Sequence, residues 1–222
     1  MTERQGESPR RGKIPPPQHR FEDAAAQALA RLRGQAPEQL EWLGAARVGD
    51  RWTLPVLDDR LSVDLERGTV TTAGGRPVGP LWRILALHYL AASARPEDAG
   101  PEVVFADLPA GRAYAAVYQA RVIGRLVGSF GNDREALRRA ALALGGHSTL
   151  DTRHSTLDTR DLAFEFSAFP RVRLRLTWYA GDDELSPSAS LLVPRTIEAF
   201  LSVEDIVVLS ERLIARLAGG AF

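Results

Sequence analysis

The chain has 222 residues, 45% of them apolar and 25% charged, with 28 basic and 28 acidic side chains, a formal net charge of zero and no cysteine. That length supports one good core, or a core plus a tail, and the composition is ordinary for a globular protein. Zero net charge gives no long-range pull toward nucleic acid or anionic lipid, and the missing thiols exclude disulfides, cysteine nucleophiles and thiolate-held iron–sulfur or zinc sites. No apolar run approaches the roughly 18 residues a membrane span needs, and the N-terminus lacks the apolar core of a signal peptide. A cytoplasmic chain with no membrane or nucleic-acid partner is therefore expected. Lys13 is the only lysine; with so much Ala, Leu and Gly, a GC-rich genome accounts for the arginine bias better than selection for bidentate contacts.

Residues 1–20 read as a disordered tail. They carry Pro15-Pro16-Pro17, no apolar periodicity, and Arg4, Arg10, Arg11, Lys13 and Arg20 against Glu3 and Glu7. Such a segment cannot bury enough apolar surface to offset its ordering entropy. Residues 21–219 read as one α+β domain, with short antiparallel strands in one or two sheets packed against several helices. The alanine-rich run from Phe21 to Arg33 predicts a helix with Glu22 and Asp23 in its first turn, closed at Gly34. Pro37 to Leu43 predicts a second short helix. Trp52–Leu57, Leu61–Glu66 and Thr69–Thr72, separated by Asp58-Asp59 and Arg67-Gly68, predict a β-meander. Pro80 stands at a first helical position, and Leu81, Ile84, Leu85, His88 and Ala92 share one predicted face of the helix that follows.

Val103–Phe105 reads as a short extended piece before the turn at Asp107–Gly111. A helix is expected from Ala113 to Phe130 with Ala113, Val117, Ala120, Gly124 and Val127 inward. Asn132 is the expected cap of the next helix, with Glu135 completing a capping box and Gly145-Gly146 ending it. His147–Arg153 and His154–Arg160 are identical copies of HSTLDTR. Back-to-back copies this short are no solenoid unit, and an exposed loop over 147–160 absorbs such a duplication most cheaply. Leu162, Phe164 and Phe166, then Val172, Leu174, Leu176 and Trp178, alternate with polar residues and predict an antiparallel ribbon greasy on one face. A third strand is expected near Ser190–Val193. Ser202 with Asp205 predicts a capped last helix with an Ile206, Leu209, Leu213, Leu217 stripe.

Several constellations carry candidate chemistry. Asp182, Asp183 and Glu184 form the densest acidic cluster, able in principle to hold a hard cation or act as an acid, or else to be a solvated turn. Arg171, Arg173 and Arg175 share a strand face and suit a phosphate or carboxylate, or else pair with Glu165 or Asp161 across the sheet. His88, with Trp82 and Tyr89 near it in sequence, is a candidate base or tetrapyrrole ligand, or a satisfied histidine at the core edge. Arg112 and Tyr114 follow a turn whose backbone N–H groups suit an anion, or serve as plain structure. His147 and His154 with Asp151 and Asp158 have metal-ligating side chains, in a loop poorly suited to preorganise them. There is no GxGxxG, Walker A, GxSxG or HExxH, which argues against most nucleotide hydrolases, serine hydrolases of that type and zincins.

From about Leu40 to Leu217 the chain resembles a bacterial family catalogued as domain of unknown function 3786. The likeness is carried by WTLPVLDDRLSVDLERGTV, LWRILALHYL, VVFADLPAGRAYAAVY and above all FPRVRLRLTWYAGDDELSPSASLLVPRTIEAFLSVEDIVVL. It implies relatives in anaerobes, some with an added iron–sulfur module, which this chain has no cysteine to build. The duplicated HSTLDTR departs from the family's shorter connection. The expected role is a module that binds a small molecule or a partner protein, linked through its relatives to anaerobic cofactor metabolism. The alternative is a cysteine-free enzyme using the acidic cluster with the neighbouring arginines. The sequence assigns no cofactor.

Overall fold

The computed structural model describes residues 17–149 and 160–222. Most of the expected tail, and residues 150–159 of the duplicated loop with His154, Asp151 and Asp158, lie outside them.

The first helix, α1 (Pro17–Leu32), starts earlier than its alanine-rich run suggests, so Glu22 and Asp23 fall beyond the first turn. Its C-terminus is closed by the N–H groups of Arg33 and Gly34 donating to Leu29 O and Arg31 O. After α2 (Pro37–Trp42) come β1 (Ala46–Val48), β2 (Arg51–Val56), β3 (Asp59–Asp64) and β4 (Thr69–Thr72), an antiparallel meander in sequential order. β1 is exposed throughout and carries no alternation, which is why its sequence gave no strand signal. Trp52 pairs with Val63, Leu54 with Leu61 and Val63 with Val70, so the buried set of all three longer strands lies on one face.

Helix α3 (Pro80–Leu90) runs through the middle of the molecule, against α1 and α7 (Val203–Leu217). Trp82, Ile84, Leu85, Ala86, Leu87, Tyr89 and Leu90 are all buried. The expected single apolar face is therefore corrected: a helix apolar nearly all round is a core helix. His88, placed inside that expected face, sits at its half-buried edge.

The second sheet is antiparallel with strand order β5-β9-β8-β7-β6, where β5 is Glu102–Val104, β6 His147–Ser148, β7 Leu162–Phe169, β8 Val172–Tyr179 and β9 Ser188–Pro194. The predicted ribbon is its centre. Leu162 faces Trp178, Phe164 faces Leu176 and Phe166 faces Leu174, all buried, each contributing roughly 1.5–3 kcal/mol. His147 and Ser148 pair with Glu165 and Phe164. The first two residues of the duplication thus form an edge strand, because an open backbone edge of β7 is available to them.

The helix expected over 113–130 is broken into a 3₁₀ turn (Arg112–Tyr114), α4 (Ala115–Tyr118), a π-helical stretch (Gln119–Ile123) and α5 (Gly124–Phe130). Tyr118, Val122 and Leu126 point inward, whereas Ala113, Val117, Ala120 and Gly124 are exposed. The larger side chains win the buried positions because apolar area decides which way the helix rolls. Asp133 caps α6 (Arg134–Ala143), accepting from Ala136 N at 2.9 Å. Asn132, the expected cap, is instead spent on Gly181, exchanging hydrogen bonds of 3.1 and 2.8 Å with its O and N. The predicted Ser202–Asp205 capping box of α7 is present.

Two of the contacts that join the layers meet near the end of β7. At the β2–β3 turn Leu57 takes φ 52°, rare for a side chain of its size, and its N–H donates to Ser167 O at 3.1 Å, at the irregularity in β7 between Ser167 and Phe169. The other contact is Tyr89, whose ring stacks on Phe169 with centroids 4.4 Å apart.

Candidate functional site

β7 and β8 are joined through Pro170 and Arg171, so Arg171 begins a row continued by Arg173 and Arg175. With Val172, Leu174 and Leu176 facing the core, the two-residue period sends these arginines to the opposite face. All three line one cleft of about 330 Å³. Its far walls come from the irregular segment 96–100 and from Trp42 and Phe200.

Each arginine is held differently. Arg171 Nε donates to Trp42 O at 2.8 Å, and its guanidinium carbon lies 4.5 Å from the centroid of the Trp42 ring. Arg95 approaches the same ring at 5.6 Å, and Phe200 stacks on it at 6.1 Å. Arg173 reaches Glu165 at only 3.4 Å and stays 60% exposed. Arg175 Nε lies 3.1 Å from Glu102 Oε2, yet off the hydrogen-bond axis, so that buried N–H donates to no group. Glu97 and Asp98 add negative charge at the mouth, and Asp98 Oδ1 accepts from Gly100 N at 2.7 Å. The cleft thus offers charge of both signs over an aromatic wall. Of the two cross-strand partners expected, Glu165 meets Arg173, while Asp161 Oδ1 accepts from Ala180 N at 3.0 Å.

His88 opens a second cleft of about 320 Å³, lined also by Arg31, Glu198 and Asp205. Its Nδ1 lies 2.9 Å from both carboxylate oxygens of Asp205. Asp205 Oδ2 accepts further from Ser202 Oγ at 2.7 Å and from Ser202 N at 3.2 Å. The two clefts share Phe200 and the segment that follows α3.

A family model described as Domain of unknown function (DUF3786) matches residues 35–216. The chain belongs to this family. No curated protein and no solved structure matches the chain.

Elsewhere in the DUF3786 domain the sequence candidates are placed apart. Asp182, Asp183 and Glu184 are exposed in the turn after β8. Asp182 Oδ1 accepts from Glu184 N at 2.9 Å and Leu185 N at 2.8 Å. The N–H of Leu185, then that of Glu184, hold its carboxyl below the usual aspartate range. These bonds close an Asx-type turn. Arg171 precedes β8 and Asp182 follows it, so the eight-residue strand separates them by about 25 Å. None of the three acidic residues lines the arginine cleft. Arg112 lines a further cleft with Asp107 and Arg195, and Tyr114 stands 40% exposed on the 3₁₀ turn beside it. Among the described residues no group of three or more His, Asp or Glu side chains converges as a metal site does, and no helix is long and apolar enough to cross a membrane. Trp42, Glu97, Asp98 and Glu102 at the arginine cleft, and Arg31, Glu198 and Asp205 at the histidine cleft, had no local signal as site residues. Asp205 was legible only as a cap.

Proposed function

We propose that this DUF3786 protein is a bacterial, cytoplasmic binding module whose arginine cleft holds a small molecule carrying an anionic group, in a process linked to anaerobic cofactor metabolism. The observation that carries this reading is the convergence of Arg171, Arg173 and Arg175 on one cleft. A ligand carboxylate or phosphate would be met by Arg173, which is exposed and held only by a long contact to Glu165. Glu97 and Asp98 at the mouth favour a ligand with a compensating positive group over a polyanion. Binding rather than catalysis is favoured because, among the described residues, the lining holds no Ser, Cys or Lys, and its Thr196 hydroxyl donates to Ala99 O.

Native mass spectrometry of the protein isolated from its own cells tests this. A retained small-molecule mass that disappears from the Arg173→Ala, Arg175→Ala double variant is expected. A wild-type mass without adduct, or an adduct indifferent to both substitutions, refutes it.

A further inference from the structure

We propose that the His88 cleft is a second binding site, for a small monocarboxylic acid bearing a hydroxyl group. It stands independently of the arginine cleft. The site is built from three elements. α3 supplies His88, α7 supplies Asp205, and α1 supplies Arg31. Asp205 is nearly buried and oriented by Ser202, so its carboxylate is a fixed acceptor aimed at Nδ1. An ionised carboxylate can only accept, so in the neutral ring the proton resides on Nδ1 and the lone pair on Nε2. Nε2 has no hydrogen-bond partner among the described residues, and it is not sealed from solvent. The ring therefore presents one acceptor nitrogen, held in place from behind, to a cleft large enough for a molecule of several heavy atoms.

The charged groups lining the cleft define the ligand. Among the described residues, Arg31 is the arginine in the lining, and it suits a single carboxylate. Glu198 and Asp205 are the anions there, and they disfavour a second carboxylate on the ligand. A hydroxyl on the carbon next to the carboxylate donates to Nε2 while the carboxylate pairs with Arg31. The remaining lining is small or apolar, with Ala91, Ala92, Ala199 and Leu201.

Long-range proton–nitrogen spectra of the histidine rings in the full chain test this, with His88→Gln used to assign the signal. Without ligand, Nε2 is expected to be the unprotonated nitrogen. Glycolate is expected to shift that signal, and acetate, which lacks the hydroxyl, to leave it largely in place. Arg31→Gln, an exposed substitution that leaves the fold intact, is expected to raise the half-saturating glycolate concentration about tenfold or more, the scale of one charge-assisted pair. Arg173→Ala should leave the glycolate response unchanged. The proposal falls if the unprotonated nitrogen is Nδ1, if glycolate does not move the signal, if acetate moves it equally, if Arg31→Gln binds glycolate as wild type does, or if Arg173→Ala abolishes the response.

Discussion

Tyr89 and Tyr118 should make this fold unusually sensitive to alkali. Each ring is stacked on a phenylalanine, Tyr89 on Phe169 at 4.4 Å and Tyr118 on Phe105 at 4.2 Å. Each hydroxyl is turned into the core. Tyr89 Oη donates to Leu43 O at 2.6 Å and accepts from Arg171 N, and Tyr118 Oη donates to Ser210 Oγ at 3.0 Å. Burial pushes both phenols well above the ordinary tyrosine value of about 10, outweighing the hydrogen bond that Tyr89 accepts from Arg171 N and the contact of Tyr118 with Ser210, which act the other way. Below that value both states keep the proton and stability is undiminished. As pH rises past it, the unfolded chain releases two protons that the native chain retains, so stability falls. The slope approaches about 1.4 kcal/mol per pH unit for each tyrosine, and the loss between about pH 9 and pH 11 sums to about 2.7 kcal/mol. That is a large share of a typical 5–15 kcal/mol, roughly, for a domain. The assay is cleaner than in most proteins, because the chain has one lysine and no cysteine to titrate in the same window. Urea unfolding followed across that pH range should show the loss in wild type and a nearly flat profile in the Tyr89→Phe, Tyr118→Phe double variant. A double variant that still loses stability like wild type would refute the reasoning.

Three further outcomes follow from the packing. Asp183→Ala should change unfolding free energy by no more than about 0.5 kcal/mol, since its side chain is solvated; a loss of several kcal/mol in urea titration would restore a structural or ligand role to the turn. Gly111→Ala should cost about 1–3 kcal/mol, read as a lowered urea midpoint, because an added Cβ would stand 1.9 Å from Phe105 O, a backbone atom that cannot swing aside. Asp205→Ala should cost more than Ser202→Ala, about 2 kcal/mol against about 1 kcal/mol, since it removes both the reciprocal cap and the His88 contact; equal losses in thermal unfolding would mean that the histidine contact adds nothing.

Much of the architecture was legible because it follows two-residue periodicity or local capping. Val172 to Trp178 could be assigned face by face, and Ser202 with Asp205 marked the start of α7. The errors share a cause. Asn132 and Asp133 are both competent caps, and only Gly181, forty-nine residues away, decides that Asn132 is used elsewhere. The run around Val117 offers several small apolar residues, and the choice of Tyr118, Val122 and Leu126 as the inner face depends on Phe105 and Ser210 being there to receive Tyr118. At the candidate sites, residue type and strand face made the arginine row visible, but its cleft partners come from distant segments.

Composition, periodicity and capping by themselves determined an α+β domain with a greasy ribbon, a capped final helix and no thiol chemistry, because each of these depends on neighbours within a few positions. Tertiary structure alone decided that His88 meets Asp205 across 117 residues, that the arginines face Trp42, and that the acidic turn stands apart from both. Distances between side chains far apart in the chain are set by how layers pack, and no local pattern encodes them.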